Sequence, residues 1–427
     1  MFRESEQDLI SATAVCKHWR RTFISTPILW NKIVCSEREN LRVVTPRVQA
    51  YLDRSGSVPV DVQIHARASQ LLSSHTGRIL SLRMFLRPPL DLDRVAEYLS
   101  DPAPTLKTVT LHVKNWGRSV LVLPPTFFEG LLSSVRTLTI HGPTLSPGPC
   151  NLSQLTKFTL ITHPRASVPS AVLLDTLERM PLLQLFEHKT NRHDIVPIDR
   201  VVTLPRLEEI TITVDFFSAG GASSILPALC LPSARRVLMR STVAPRAFLT
   251  PILPHSFEER LPGLSATPEV SATLGKGFDI GFFGLDQSQL TLSTNSAMVF
   301  TRFPFGGAPL GSVRKLHVCF PRSSAAYSKS FVTMIQTMTG LERLEVVQNT
   351  GGPLAYWAGV DDQTEICPTL DTLVVTDADI KEVKRYVRVL KQARERAGVP
   401  IAHVETGDQW GPDSDGDYCL SSIFCDT

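Results

Sequence analysis

The sequence lacks long apolar runs, and it lacks a strong excess of charge of either sign. No apolar run approaches the ~18 residues that a membrane-spanning helix needs. The 44 Lys and Arg residues against 41 Asp and Glu residues leave a net charge of +3, too balanced for a surface that tracks phosphates. We therefore expect neither a membrane nor nucleic acid as a partner.

Paired cysteines and targeting signals are also missing. The eight cysteines include no C-x-x-C pair, and a chain of 427 residues can build a core without disulfides. Glu4, Glu6 and Asp8 break the acid-poor pattern of an organelle presequence, and no apolar stretch with a cleavage site follows them. These features predict reduced thiols in a cytoplasmic or nuclear protein.

Motifs for catalysis and metal binding fail on inspection. The G-K-G segment is no phosphate-binding loop, because Val270 stands where that loop needs its first glycine. His188 and His193 are five residues apart and so diverge on a helix, which removes the two-histidine zinc geometry. Three aspartates near the C-terminus begin like a calcium loop, but Tyr418 replaces its glycine. We expect a non-enzyme with no cofactor and no metal.

The most informative feature present is the segment 8–33, which carries two tryptophans at helical spacing. Its first apolar residues recur every three or four positions and so share one face of a predicted helix. They are Leu9, Ala12, Cys16, Trp19 and Phe23. Ser5 and Asp8 form a capping-box pattern for this helix.

A second helix is predicted after the Ser-Thr-Pro turn, because Pro27 can occupy the first helical turn, where its missing N–H costs nothing. Its apolar residues are Leu29, Trp30 and Ile33. Two aromatic anchors on adjacent short helices indicate a docking module.

The motifs VCKHWR and STPILW resemble the C-terminal half of an F-box. The segment YLDRSGSVPVDVQI at 51–64 is similar to the stretch that follows the box in a large family of fungal (basidiomycete) F-box proteins. The family's first F-box helix would lie upstream of residue 5, so we expect a box truncated at its N-terminus. The resemblance implies docking to the Skp adaptor of a cullin-RING ubiquitin ligase. The matching apolar positions are Leu9, Ile10, Val15, Cys16, Trp19, Leu29 and Trp30.

An L-x-x-L-x-L pattern recurs between residues 77 and 406. The middle apolar residues of its copies are Leu82, Val109, Leu138, Phe158, Leu185, Ile210, Val237, Leu316, Leu344 and Leu373. The spacing, roughly 27 residues, is typical of leucine-rich repeats, in which each unit is one strand plus a return segment. The Asn expected after the strand occurs only once, at Asn349. Return segments are predicted to be helical over 170–180, 329–339 and 378–398.

The sequence therefore predicts an α/β fold in which short F-box helices precede an irregular leucine-rich-repeat-like solenoid of parallel strands with helical or irregular return segments. The predicted divisions are 1–35, a partial F-box; 36–76, a linker and first strand/helix segment; 77–406, the solenoid, with insertions at 240–312; and 407–427, an acidic flexible tail. A small independent domain is the alternative for 240–312.

Two smaller expectations concern the ends of these divisions. Residues 36–50 are the best candidate for a hinge. The basic helix over 380–396 is expected to cover the end of the solenoid, with its arginines in solvent.

Strand alternation places one residue of each repeat on the face away from the core. The row includes Leu238 and Val374, and we predict that its polar members bind a protein substrate: Arg83, Thr110, Thr139, Thr159, Thr211, His317 and Glu345. Threonine could also stand there for strand propensity alone. The predicted function is a substrate-recognition subunit of an SCF-type ligase. The alternatives are a non-catalytic scaffold whose incomplete box no longer binds the adaptor, and an N-terminal helical pair packed on the next domain with both tryptophans in the core.

Overall fold

The structure is a computed structural model, and part of the chain is described. The described residues are 2–36, 39–87, 103–113, 122–123, 134–142, 144–145, 152–162, 168–190, 200–214, 225–241, 257–262, 269–274, 278–283, 289–294, 310–319, 328–347, 351–360, 362–376 and 380–407. His193, the aspartates before Tyr418, all but the first residue of the predicted acidic tail and much of 240–312 lie outside these ranges.

The helices agree with the predicted return segments at three places. The α-helices are α1 (Phe2–Val15), α2 (Lys17–Ile24), α3 (Leu41–Arg54), α4 (Ser170–Glu178), α5 (Phe257–Arg260), α6 (Ser328–Gln336), α7 (Gly351–Ala358) and α8 (Ile380–Arg396). Turns of 3-10 helix cover Pro27–Trp30, Ala66–Arg78, Leu226–Ala228 and Leu310–Ser312. The predicted helices at 170–180, 329–339 and 378–398 are confirmed as α4, α6 and α8. Helix α7 was not predicted, because it opens with Gly-Gly-Pro, which is typical of a turn.

A strand lies at every copy of the L-x-x-L-x-L pattern. The strands are β1 (Lys32–Val34), β2 (Val60–His65), β3 (Ile79–Leu86), β4 (Thr108–Val113), β5 (Val122–Leu123), β6 (Thr137–Gly142), β7 (Thr144–Leu145), β8 (Lys157–Thr162), β9 (Leu185–Thr190), β10 (Val202–Thr203), β11 (Glu209–Val214), β12 (Leu229–Cys230), β13 (Arg236–Ser241), β14 (Glu269–Leu274), β15 (Phe278–Phe283), β16 (Gln289–Thr294), β17 (Lys315–Cys319), β18 (Arg343–Val347), β19 (Thr372–Thr376) and β20 (His403–Gly407). The fold is α/β, and its strands pair mainly in parallel.

The chain divides into two compact units. The first unit comprises Met1–Ser265 with Asp286–Leu290 and Pro304–Ala308, and the second comprises Ala266–Leu285, Thr291–Phe303 and Pro309–Thr427.

In the first unit the strand order is β1-β2-β3-β4-β6-β8-β9-β11-β13, with every neighbouring pair parallel. The repeat positions are in register, so that Leu82 faces Val109 and Val109 faces Leu138. All three are buried. The last two apolar residues of each copy are two apart and therefore share the core side of the strand.

One repeat was predicted in the wrong phase. Leu185 is half-exposed, and Phe186 takes the core position, opposite Phe158 and Ile210. The rings of Phe158 and Phe186 stack with centroids 5.7 Å apart. Burial of the larger aromatic side chain decides which face of β9 points inward.

Hydroxyl side chains form hydrogen bonds between successive repeats just before the strands begin. Ser134 Oγ donates to the carbonyls of Ala103 (2.7 Å) and Leu106 (2.9 Å) in the preceding repeat. Thr105 lies at the equivalent position and donates to the carbonyl of Ile79 at 3.0 Å. These residues directly precede the first apolar residue of a copy, so their bonds fix where each strand begins.

In the second unit β14 and β15 form an antiparallel hairpin, and β14, β17, β18, β19 and β20 follow one another in parallel. The expectation that the arginines of α8 lie in solvent is wrong for Arg394, which is fully buried. Its guanidinium donates to the carbonyls of Ile366 (2.6 Å) and Cys367 (2.9 Å). Those carbonyls end a turn, and Cys367 has a positive φ of 46° there. Arg394 thus supplies a donor to the Ile366 carbonyl and a second donor to the Cys367 carbonyl, which also accepts from the Leu370 backbone N–H at 3.0 Å.

The N-terminal segment differs from its prediction, because the single helix expected there is divided into α1 and α2 at Cys16. Cys16 has extended backbone angles (φ −156°, ψ 171°) and caps α2, with its Sγ accepting from the Trp19 backbone N–H at 3.5 Å. Ser5 lies inside α1 and so begins no helix. After Pro27 the chain forms a single stretch of 3-10 helix, and Ile33 already belongs to β1.

Helix α3 occupies most of the segment expected to be a hinge. Asn40 caps it, with its Oδ1 accepting from the Arg42 backbone N–H at 3.0 Å. The helix continues through Pro46 and buries one face. The buried residues are Val44, Val48, Tyr51 and Leu52.

Candidate binding surfaces

The first surface lies on α1, α2 and the following 3-10 helix, and we call it the N-terminal apolar surface. It consists of the exposed residues Ile10, Val15, Trp19, Ile24, Ile28 and Leu29. Val15 is 63% exposed and Trp19 is 48% exposed. No residue of α2 is buried. Helix α2 therefore does not bury its apolar face in the described core of this chain.

Most predicted adaptor-binding residues lie on or beside this surface. Ile10, Val15, Cys16, Trp19 and Leu29 are exposed, and Leu9 is half-buried. The Trp19 ring stacks on the ring of Phe23, with centroids 5.9 Å apart.

Trp30 is the exception, because it is only 1% exposed. Its ring packs edge-on against Tyr51 at 5.0 Å, and the Arg54 guanidinium carbon lies 4.3 Å from the ring centroid. Its indole N–H donates to the carbonyl of Phe23 at 2.8 Å. Trp30 thus contacts both the end of α2 and helix α3. A partner bound to the N-terminal apolar surface would not contact its buried ring.

The second surface is the strand face opposite the core of the first unit, where the predicted row is in register. We call the row Gln63, Arg83, Thr110, Thr139, Thr159, Glu187 and Thr211 the outer row. Glu187 and Gln63 were missed, Glu187 because its repeat was placed one residue out of phase.

The outer row lies on the face away from the core, but two of its predicted members are buried. Thr110 is 8% exposed and Thr159 is 5% exposed. Both are short side chains among longer ones, and Thr159 Oγ1 lies 3.5 Å from Glu187 Oε2, to which it donates. Thr139 and Thr211 are half-buried, and Arg83 is exposed. Arg83 is therefore the most accessible polar group of the predicted residues in this unit.

The remaining two predicted residues belong to the second unit. His317 on β17 pairs with Glu345 on β18, but the side chain of His317 lies outside what the structure describes. Glu345 accepts from Arg343 Nε at 2.7 Å, and Arg343 also lies 3.9 Å from Glu405. This part of the predicted site is an ion-pair cluster.

A further row lies two residues beyond the outer row on the same strands, and we call it the ring row: His65, Phe85, His112 and His141. Its members are register neighbours. The centroid distances are 5.8 Å from His65 to Phe85, 5.3 Å from Phe85 to His112 and 4.0 Å from His112 to His141. Extension of the strand alternation by one more step along each repeat would have found this row.

Both stacked imidazoles are held in the neutral form. Burial, followed by the neighbouring His141 and Arg83, lowers the pKa of His112 to about 4. Burial and Arg83 also lower the pKa of His141, while Glu187 opposes them. At neutral pH the rings carry no charge and can pack against each other without repulsion.

The described ranges were also compared with the requirements of metal sites and membrane-spanning helices. In this part of the chain no three His, Cys, Asp or Glu side chains form a group that could hold a metal ion. None of the helices assigned there is long and apolar enough to cross a membrane. Cys16, Cys230 and Cys367 are free thiols, and burial raises the pKa of Cys367 to about 12.

No protein-family model matches the chain, and no curated protein matches it. A function must therefore be argued from the sequence motifs and from the two surfaces.

Proposed function

We propose that the protein is a substrate-recognition subunit of a cullin-RING (SCF-type) ubiquitin ligase. The N-terminal apolar surface docks to a Skp adaptor, and through it to a cullin. The strand repeats form a leucine-rich-repeat-like solenoid, whose outer row binds a protein substrate. The observation that carries the proposal is the exposure of Val15 and Trp19 on short helices whose sequence resembles an F-box.

The exposed side chains supply a physical reason for docking. Monomeric proteins rarely leave contiguous large apolar side chains in water unless a partner covers them. Each such side chain gains ~1.5–3 kcal/mol at full burial, before the cost of association is subtracted. The six residues of the N-terminal apolar surface are 39–63% exposed, so each would gain part of this amount when a partner covers it.

The role requires no chemistry in this chain. A subunit that joins a substrate to an adaptor acts by binding and positioning, so no catalytic residue, cofactor or metal is proposed. Its place of action is the cytoplasm or the nucleus, and neither nucleic acid nor a membrane is a proposed partner.

The test is co-purification of the full chain with a Skp adaptor, with matched valine variants. Val15→Lys should weaken the complex about tenfold or more, because burial at the interface would strip water from an unpaired charge. Val43→Lys is the control, since Val43 on α3 is 62% exposed and lies outside the surface. Equal adaptor binding by the two variants would contradict the docking surface.

One observation favours a second candidate, a scaffold whose incomplete box does not bind the adaptor. Trp30, a matching position of the resemblance, is buried against Tyr51 and Arg54 and so is removed from the docking surface. Absence of any adaptor complex with the wild-type chain, together with intact binding at the strand face, would favour the scaffold.

A further inference from the structure

The ring row presents edges, not faces, to an approaching partner. His112 and His141 stack at 19° with centroids 4.0 Å apart, and Phe85 stacks on His112 at 30°. Their faces are therefore covered by one another. All three side chains are half-buried, so part of each ring remains in contact with solvent. An aromatic ring has a positive edge and a negative face, so a row of edges favours an electron-rich partner group.

Arg83 adds a full positive charge beside these edges. It lies on β3 two residues before Phe85, and it lowers the pKa of both imidazoles. Its described hydrogen bond is a long one, 3.4 Å from Nη1 to Gln63 Oε1. Among the described residues no ion pair to Arg83 occurs, so its guanidinium keeps donors for a carboxylate.

The arginine of the second unit provides the contrast. Arg343 already donates to Glu345 at 2.7 Å and lies 3.9 Å from Glu405, so its charge is compensated within the chain. Of these two arginines, Arg83 beside the rings is the one without an ion pair among the described residues. The charge of Arg83 and the positive ring edges therefore both favour an electron-rich or anionic partner group at the same place.

We propose that the ring row and Arg83 bind a peptide segment of the substrate in which a carboxylate stands next to an aromatic residue. The carboxylate of the peptide pairs with Arg83. The face of the peptide's aromatic ring packs against the ring edges of Phe85, His112 and His141. This inference rests on the proposed function, because it names the substrate chemistry of the same strand face.

The experiment is selection of random peptides from a display library on the purified full chain, with wild type, Arg83→Glu and Arg42→Glu in parallel. Arg42 is an exposed arginine on α3 and carries the same charge reversal away from the rings. Wild type and Arg42→Glu should enrich Asp or Glu beside Phe, Tyr or Trp. Arg83→Glu should lose this preference and enrich Lys or Arg beside the aromatic residue. An unchanged consensus with Arg83→Glu would overturn the proposal, and so would no enrichment with wild type.

A synthetic peptide carrying the enriched sequence then gives the magnitude. Arg83→Glu should weaken its binding about five- to tenfold, because an exposed attractive pair becomes a repulsive one. His141→Leu keeps apolar bulk and removes a ring edge, so it should weaken binding severalfold while Arg42→Glu leaves it unchanged. Equal affinity for all four proteins would overturn the site.

Adaptor binding measured on the same samples separates this inference from the proposed function. Peptide enrichment without adaptor binding would overturn the ligase role and support the binding site. Adaptor binding without peptide enrichment would overturn the binding site alone. A dimer that Arg83→Glu dissociates, with no peptide enriched, would assign the surface to a second copy of this chain and overturn the peptide proposal.

Discussion

Helices α2 and α3 lie close together in the sequence and use their apolar residues in opposite ways. Helix α3 buries Val44, Val48, Tyr51 and Leu52, whereas α2 buries none of its residues. The two tryptophans show the same contrast, since Trp30 is 1% exposed and Trp19 is 48% exposed. Apolar spacing alone therefore identifies an apolar face, and only the structure shows whether this chain buries it.

The largest expected effect tests the tryptophans directly. Trp30→Ala should lower the free energy of unfolding by about 3–5 kcal/mol, because it empties a packed site and breaks the bond to Phe23. Trp19→Ala should lower it by under ~0.5 kcal/mol, because the ring is half in solvent. Urea unfolding of both variants measures the difference. Equal destabilisation would show that α2 is part of the core, as in the helical-pair alternative.

The same contrast occurs between two arginines of α8. Arg394→Leu should destabilise the protein by about 2–3 kcal/mol, because the carbonyl of Ile366 loses its side-chain donor and that of Cys367 keeps only the Leu370 N–H. Arg388→Leu, at an exposed position of the same helix, should change stability by under ~0.5 kcal/mol. Thermal or urea unfolding compares them, and a small effect of Arg394→Leu would refute its structural role.

The ring row should make the free energy of unfolding depend on pH, because it contains a histidine with a lowered pKa. The apolar side chains of the N-terminal apolar surface do not titrate. His112 has a folded-state pKa of about 4 against an ordinary value of 6.5, so the unfolded chain binds the proton more readily in this window. Stability should therefore fall as pH drops from 6.5 to 4, by about 1–2 kcal/mol after allowance for solvent screening. His112→Gln should remove this part of the fall, and an identical pH profile in the variant would contradict the assignment.

The smallest effect concerns the break between α1 and α2. Cys16→Ser should stabilise the chain by about 0.5 kcal/mol, because a hydroxyl is a stronger cap acceptor than a thiol. Cys16→Ala, which has no acceptor, is the matched opposite and should destabilise it slightly. Circular dichroism melts should rank the midpoints as Cys16→Ser, then wild type, then Cys16→Ala. Equal midpoints for the three proteins would indicate a continuous helix through residue 16.

The strands could be predicted because their signal is local. Each copy of the repeat combines apolar spacing with alternation, and parallel pairing in sequence order follows from the repeat itself. The phase of β9 could not be predicted, since Leu185 and Phe186 are both apolar and stacking with Phe158 decides between them.

The missed helices have sequences that favour other structures. Helix α3 contains β-branched residues and Pro46, which indicate a linker, and its stability comes from tertiary burial of Val44 and Val48. The break at Cys16 depends on the extended backbone of that residue and on capping by its side chain, which apolar spacing does not report.

The candidate sites were predictable only in outline. The positions of the outer row followed from alternation, but the shielding of Thr110 and Thr159 depends on neighbours in adjacent strands. The ring row emerges only when register aligns His112 with His141 and Phe85.

The most direct measurement of the central claim is hydrogen exchange of the full chain with and without a saturating Skp adaptor. We expect slower exchange over residues 9–29, where the N-terminal apolar surface lies, and unchanged exchange over 41–54, where α3 already buries its own apolar face. Protection of both segments alike, or of neither while the adaptor is bound, would contradict it.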